Sequence, residues 1–312
     1  MKIKLLNAGR IPPALETKLG NEYELLQLPQ EADAAHFFET HQSSISAVVT
    51  SAAIGVTNSI LEKLPNLKVI SSFGVGLDKV DVNYARSRNI AVGYTPDVLN
   101  DCVADIAFGL MLDAGRRMSA ADKFVRDKKW PKGPFPLGFK VSGAKLGIVG
   151  MGRIGKTIAK RSTGFEMVVR YHSRTPASDV NWIYEKSLIE LAKWADFLVV
   201  ITAGGTQTRH LINSNVLTAL GVNGYLINVS RGSVVDETAL IEALETKRIA
   251  GAGLDVFEDE PNVPERLMKL DNVVLLPHIA SATKQTRQAM ADRVFDNLKN
   301  FFTDGTLLTS AY

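Results

Sequence analysis

The sequence predicts an α/β chain of two doubly wound, parallel-sheet domains, and three observations lead there. Short apolar runs rich in β-branched residues alternate with helical patterns along nearly the whole chain. Most of these runs are unbroken by polar residues, as strands buried on both faces by helices must be. The runs also form two series, at residues 2–6, 23–28, 47–50, 68–72 and 90–93, then at 145–149, 167–171, 197–202, 224–229, 252–257 and 273–276. Single cores stop growing near ~250–300 residues, so a chain of 312 suits two of them.

The elements follow in order. The run at 2–6 is interrupted by lysines and reads as a strand, not as the apolar core of a signal peptide. The strand at 68–72 runs into Phe73-Gly74-Val75-Gly76-Leu77-Asp78, whose consecutive N–H groups make either an anion nest or a plain left-handed turn. A boundary is expected near Thr95-Pro96-Asp97. Residues 100–127 then read as one long helical stretch, with Val103, Ile106, Ala107, Leu110 and Met111 spaced along one face. Asp101 and Asp105 near its start and Arg116 and Arg117 further along suit the helix dipole. Three prolines and two glycines make 130–138 a loop. Residues 283–302 are amphipathic and helical and add no strand to the second sheet. This helix is expected to cross back onto the first domain, which then comprises 1–98 and 283–312 around a second domain at 99–282. Two crossings would make a hinge over a cleft.

Composition narrows the class. Hydrophobic residues at 46% and charged residues at 22% exclude a disordered chain. Thirty-six basic against 33 acidic residues leave a net charge of +3, spread without long blocks of one sign. That is too weak and too even for nucleic acid or an anionic membrane as the main partner. No apolar run approaches the ~18 residues of a spanning helix. Cys102 is the only cysteine, so nothing requires an oxidising compartment, and a soluble cytoplasmic protein is expected. No His or Cys pair has ligand spacing, so no metal is expected, and no G-x-S-x-G elbow offers a nucleophile.

Gly150-Met151-Gly152-Arg153-Ile154-Gly155 matches G-x-G-x-x-G between a strand pattern and a helix pattern. In that setting the first glycine makes the turn, the second admits a pyrophosphate, and the third lets helix and strand touch. The helix N-terminus then presents unpaired N–H groups to the anion. An NAD site usually ends the next strand with an acid for the ribose hydroxyl. Here that strand ends His172-Ser173-Arg174-Thr175, a hydroxyl and a guanidinium suited to the 2′-phosphate of NADP(H).

Ligands of open α/β sheets lie outside the carboxyl ends of the strands. That rule selects Ser230-Arg231-Gly232, the carboxylates Asp255, Glu258, Asp259 and Glu260, and His278, each group at a different strand end. An arginine holds a carboxylate by a two-pronged bond, and a histidine paired with a carboxylate exchanges a proton near neutral pH. Of the other histidines, His36 and His41 lie in a polar helical region, His172 where adenosine is expected, and His210 in a turn.

Taken together, SSFGVGLDKVD (71–81), GYTPDVLND (93–101), GIVGMGRIG (147–155), INVSRGSVVDE (227–237), GAGLDVFEDEP (251–261) and LLPHIASAT (275–283) resemble the D-specific 2-hydroxyacid dehydrogenase family over nearly the whole chain. The likeness is greatest to glyoxylate/hydroxypyruvate reductases and plant hydroxyphenylpyruvate reductases. It implies a Rossmann-type nucleotide domain inserted in a flavodoxin-like substrate domain, and NADPH-dependent reduction of a small 2-oxo acid. It assigns Arg231, Glu260 and His278 to catalysis and the N–H groups of Val75 and Gly76 to the substrate carboxylate. Thr202, Val229 and Asp255 would join the cofactor contacts, Asp255 through the nicotinamide carboxamide. Thr202-Ala203-Gly204-Gly205 departs from the proline-leucine-threonine of many relatives. The resemblance also implies a homodimer, with the Trp130 loop reaching toward the partner. A dinucleotide-sensing co-repressor of the same fold is the rival from another class. It is disfavoured because such proteins carry added terminal segments, whereas this chain begins at its first strand and stops at its last helix. Glu260, where formate dehydrogenases have glutamine, disfavours that activity.

Overall fold

A computed structural model describes residues 2–30 and 33–312. The chain divides into two compact units, Met1–Leu99 with Thr283–Tyr312, and Asn100–Ala282.

In the first unit the strands are β1 (Lys4–Asn7), β2 (Glu24–Gln27), β3 (Ile45–Ser51), β4 (Val69–Phe73) and β5 (Ala91–Gly93). They pair in parallel in the order β2-β1-β3-β4-β5, the flavodoxin-like order. All five residues of β4 are buried, and β3 is buried at six of seven, because helices cover both faces. The core gathers Leu6, Val48, Ile70 and Val92 from four strands. The helix Lys284–Asp304 belongs to this unit. Thr283 caps it by accepting the Thr286 N–H, and Ser71 Oγ donates to the Val294 carbonyl at 3.3 Å. Asn297 donates to the Tyr94 carbonyl at 3.2 Å, which ties the helix to the end of β5.

The second unit holds β6 (Lys145–Val149), β7 (Val168–His172), β8 (Ile183–Tyr184), β9 (Phe197–Val200), β10 (Tyr225–Asn228), β11 (Gly251–Leu254) and β12 (Val273–Leu275). All pairs are parallel, in the order β12-β11-β10-β9-β6-β7-β8. Read from β6 this is the Rossmann order with one strand added, and its switch point lies between β6 and β9. Four-residue strands such as β9 and β11 are buried throughout, and their side chains meet Leu217, Leu240 and Leu244 of the covering helices. Two parallel α/β sheets of doubly wound type agree with the expected fold class.

Three details differ from expectation. β8 has only two residues and exposes Ile183, too little of an apolar run to register as a strand. The stretch 100–127 is two helices, Asn100–Arg116 and Met118–Arg126, because Arg117 turns left-handed at φ 55°. Asp113 supports that break: it accepts the Ser119 N–H at 2.8 Å and also the Ser119 hydroxyl. Finally, β9, β10 and β11 stop at 200, 228 and 254. Thr202, Val229 and Asp255 are therefore residues of the loops just beyond the strand ends, where ligands meet such sheets.

Candidate active site

Glycines shape the chain where it leaves β6. Gly150 has φ 108°, and a Cβ on it would lie 2.8 Å from the Ile201 carbonyl oxygen. A Cβ on Gly155 would lie 2.1 Å from the Gly150 carbonyl oxygen, so the turn admits a side chain at neither position. Gly152 is different. Its φ of −80° is ordinary, and nothing lies within 4 Å of where its Cβ would be. Neither packing nor backbone shape calls for glycine there, and the open space beside it leaves the backbone accessible to a ligand. Gly152 also caps the helix Arg153–Ser162 without a side-chain bond, leaving first-turn N–H groups to an anion. Met151 is buried beneath the turn, Ile154 is half-buried, and Arg153 faces out. These residues fit a dinucleotide pyrophosphate.

The neighbouring tip after β7 is tied to that turn, since the His172 carbonyl accepts the Gly150 N–H at 2.8 Å. His172 Nδ1 lies 3.0 Å from the Glu185 carbonyl. Ser173 Oγ donates to the Thr175 carbonyl at 2.7 Å, and the Tyr184 hydroxyl donates to the Ser173 carbonyl at 3.2 Å. Arg174 is exposed and donates to the Gln207 amide oxygen at 3.2 Å, with no carboxylate partner among the described residues. A guanidinium, a hydroxyl and an amide without an acid fit a 2′-phosphate. Gln207 escapes sequence reasoning because it comes from the loop after β9, 33 residues away. Thr202 N lies 2.9 Å from the Gly150 Cβ position, and buried Val229 donates to the Val200 carbonyl at 3.2 Å.

At the other end of the rim, Arg231 stands in a loop closed by its own neighbours. Asn228 donates to the Arg231 carbonyl at 3.0 Å, Ser230 N and Oγ both donate to Asn228 Oδ1, and Arg231 Nη1 donates to the Ser230 carbonyl at 2.8 Å. A Cβ on Gly232 would lie 1.8 Å from the Phe257 carbonyl carbon. Only glycine lets this loop rest on the backbone of the next one, which carries Glu260. There Glu260 Oε1 accepts the Phe257 N–H at 3.1 Å, and Oε2 lies 2.7 Å from His278 Nδ1.

Asp255, just past β11, positions His278 by its surroundings. It is fully buried and accepts the N–H groups of Ile279 at 2.7 Å and Ala280 at 2.9 Å, while its carbonyl accepts the His278 N–H at 2.9 Å. That clamp holds His278 at φ 53°, a conformation that costs a non-glycine residue energy unless its surroundings impose it. Of the four carboxylates left open by the sequence, Glu260 is the one on His278. Glu258 takes Arg209 and His210, and Asp259 accepts from Asn262.

Burial opposes ionisation of Glu260. The His278 hydrogen bond and charge, the Phe257 N–H and the Arg231 charge together outweigh it and hold the carboxyl below its usual range. Burial dominates at Asp255 and raises its carboxyl, with the Ile279 and Ala280 N–H groups and the His278 charge offsetting only part. With Nδ1 engaged by Glu260, the half-exposed His278 ring has Nε2 left for exchanging a proton. A cationic fork, an ionised carboxylate and a histidine side by side can orient an oxo acid and protonate its carbonyl oxygen.

In the first unit Gly74 has φ 144°, and a Cβ on it would lie 2.4 Å from Ala52 Cβ. Its N–H donates to Thr95 Oγ1 at 3.1 Å, which pins the turn. Among the described residues the next two N–H groups, of Val75 and Gly76, have no protein acceptor. His36 and His41 lie in the helix Ala34–His41. Among the described residues, no group of His, Cys, Asp and Glu could hold a metal, and no helix is long and apolar enough to cross a membrane.

Residues 108–280 match the family described as D-isomer specific 2-hydroxyacid dehydrogenase, NAD binding domain. Over 295 residues the chain is 47% identical to glyoxylate/hydroxypyruvate reductase A of Arabidopsis thaliana, spanning 95% of this chain and 94% of that one. It is 44% identical over 295 residues to hydroxyphenylpyruvate reductase of Plectranthus scutellarioides, with the same 95% and 94%. The structure is similar to that of an NADPH-dependent glyoxylate/hydroxypyruvate reductase from Sinorhizobium meliloti in complex with NADP and malonate. The TM-score is 0.94 at 42% identity, over 100% of this chain and 97% of that one.

Proposed function

This chain belongs to the D-isomer specific 2-hydroxyacid dehydrogenase family, and from that premise we propose an NADPH-dependent reductase of small 2-oxo acids, glyoxylate or hydroxypyruvate first among them. The observation that carries it is the 2.7 Å contact between Glu260 and His278 at the same strand-end rim as the glycine turn and its acid-free Ser-Arg tip. NADPH, when bound, supplies the hydride that reduces the keto carbon. Gly150 to Gly155 hold its pyrophosphate, and Ser173 and Arg174 hold its 2′-phosphate, with His172, Thr175, Thr202, Val229 and Asp255 lining the rest. Arg231 grips the substrate carboxylate and polarises the carbonyl. His278 gives its Nε2 proton to the developing alkoxide, and ionised Glu260 stabilises the imidazolium that donates it. In the first unit, the N–H groups of Val75 and Gly76 form a nest suited to a carboxylate.

We take the protein to be a cytoplasmic homodimer. The resemblance suggests the pairing, and the surface of the second unit supports it. No residue of the helix Met118–Arg126 is buried, and beyond it Trp130 and Leu137 are 66% and 99% exposed. An apolar surface of this kind marks an interaction site. Light scattering should give twice the chain mass, and Leu137→Asp with Val125→Asp should halve it.

A substrate panel tests the activity. Glyoxylate, hydroxypyruvate and hydroxyphenylpyruvate are each supplied with NADPH while the absorbance of the reduced nicotinamide is followed. Turnover fastest with either of the first two is expected. Preference for the third would reassign the substrate, and tight NADPH binding without turnover of any 2-oxo acid would favour a dinucleotide-sensing binding protein.

A further inference from the structure

His210 lies where three loops of the second unit meet. The chain leaving β9 runs back beside the loop after β10, and the two pair in parallel at Ile212 and Val235. Within that pairing the His210 N–H donates to the Ser233 carbonyl at 2.9 Å, two residues from Arg231, and the Ile212 N–H donates to the Val234 carbonyl at 3.0 Å. The ring turns to the third loop. His210 Nε2 lies 2.9 Å from Glu258 Oε1, two residues from Glu260. One residue thus touches the Arg231 loop with its main chain and the Glu260 loop with its side chain.

The backbone at His210 is unusual. Among the described residues eight non-glycines have positive φ, and Asn89, Arg117, Lys128, Glu166 and Lys247 follow helix ends, where a left-handed residue is the ordinary way to stop. His210, at φ 51°, has no helix to end, and neither have Asp97 at 71° and His278 at 53°. Such conformations persist only where the surroundings over-determine them.

We propose that His210 is a positioning residue, which sets the spacing between the Arg231 guanidinium and the Glu260–His278 pair by bridging the two loops that carry them. The proposal rests on the reductase reading above. The physical need is plain at Gly232, which meets the Phe257–Glu258 backbone with no side chain to key one loop to the other. Among the described residues Glu258 is the only carboxylate on the His210 ring, and it also accepts from Arg209 Nη2 at 2.7 Å. Arg209 is a poor key, being 58% exposed on a long flexible stem, whereas His210 is 35% exposed and fixed at its main chain. Glu237 completes the clasp by accepting the Glu258 N–H at 3.3 Å. Its carboxyl is raised by burial and by the charges of Glu258 and Asp259, against the pull of that N–H. A displacement of about 1 Å in a reacting group can cost ~10²-fold in rate, so a slip between these loops would register in catalysis.

The test compares His210→Phe, which keeps the ring's bulk without its nitrogens, with His210→Gln, which returns an N–H donor at similar reach. Glu258→Gln cuts the same contact from the other side. Each full-length variant is measured for NADPH affinity, for kcat and KM with glyoxylate, for Tm, and for the titration of the Glu260 carboxyl by carbon NMR without substrate. His210→Phe should lower kcat/KM by about 10–100-fold through both constants, with NADPH affinity unchanged. The Glu260 carboxyl should rise toward the ordinary range as its bond to His278 loosens. Glu258→Gln should reproduce both effects, and His210→Gln should recover most of them. Retained kcat/KM and an unmoved Glu260 titration in His210→Phe and Glu258→Gln, with only Tm lowered, would overturn the proposal. The NMR readout needs no turnover. If the wild type reduces no 2-oxo acid but the Glu260 titration still moves, the reductase reading falls and the positioning stands.

Discussion

His278 and Arg174 stand at opposite ends of one rim and are held very differently. His278 is fixed by its own N–H, by the two N–H groups on either side of the Asp255 carboxylate, and by Glu260 at 2.7 Å. Arg174 is exposed and donates to one amide oxygen at 3.2 Å. The difference suits the tasks proposed for the two ends. A proton donor would tolerate little displacement, and His278 is locked even at the expense of a strained backbone and a buried acid. Holding a phosphate at the surface relies on charge, which falls off gently with distance and tolerates play. Salt should reach the second end and barely touch the first.

The contrast can be broken most decisively at His278. His278→Ala should lower turnover by ~10²–10⁴-fold, with NADPH affinity by fluorescence titration unchanged. A matching loss of cofactor affinity would mean that the two ends are not separate. At the other end, if Arg174 holds the 2′-phosphate, Arg174→Ala should remove a charged hydrogen bond of ~1.5–3 kcal/mol, weakening NADPH by roughly 10–100-fold and leaving NADH alone. Raising the salt should narrow the wild-type gap between the two cofactors, and equal losses for both in Arg174→Ala would give this arginine to the fold.

Arg231→Lys sharpens the locked end. Lysine lacks the planar fork, so losing one of two parallel bonds should raise KM for the 2-oxo acid about tenfold and slow turnover as well. Unchanged kinetics with a lower Tm would make Arg231 a structural residue. The smallest effect is expected from Glu260→Gln. The variant replaces the carboxylate that lies 2.7 Å from His278 Nδ1, and stability is where the change should register. The same carboxyl is held below its ordinary range in the folded protein. Its ionised form therefore adds stability above its unfolded value, near ~4.3, and that addition is lost as pH falls through the depressed folded value. The Tm gap between wild type and Glu260→Gln should be present at neutral pH and close on acidification.

What could be read from the sequence, and what could not, follows the range of the interactions. In the glycine turn Gly150 and Gly155 are legible because each answers a local need, whereas nothing in the fold calls for Gly152; the strand ends that carry Arg231, Glu260 and His278 are legible because apolar runs mark them. The choice of Glu260 among four neighbouring carboxylates was not fixed by pattern; it depends on which way one loop folds onto His278. His210 looked like a turn residue because its partner Glu258 is 48 positions away. Gln207 was invisible for the same reason. The buried clamp at Asp255, whose two oxygens accept main-chain N–H groups from beyond β12, leaves no mark in the strand pattern either. The break at Arg117 was hidden because the apolar face runs on up to it, while the Asp113 side chain that caps the next helix is polar and unremarkable in sequence.

The first unit is closed by the helix Lys284–Asp304, which is synthesised after all of the second unit. At ~5–20 residues per second the intervening stretch takes on the order of 10–40 s to emerge from a ribosome. During that interval β1 to β5 are already made, but the partners of Ser71 and Tyr94 on that helix are still to come. The second unit is continuous in sequence, so all of it has been made once residue 282 is added. The second unit is therefore expected to mature first, while the first still waits for its last helix. The part of the first sheet that this helix covers stays open meanwhile, and slow codons placed late in the message would prolong that exposure.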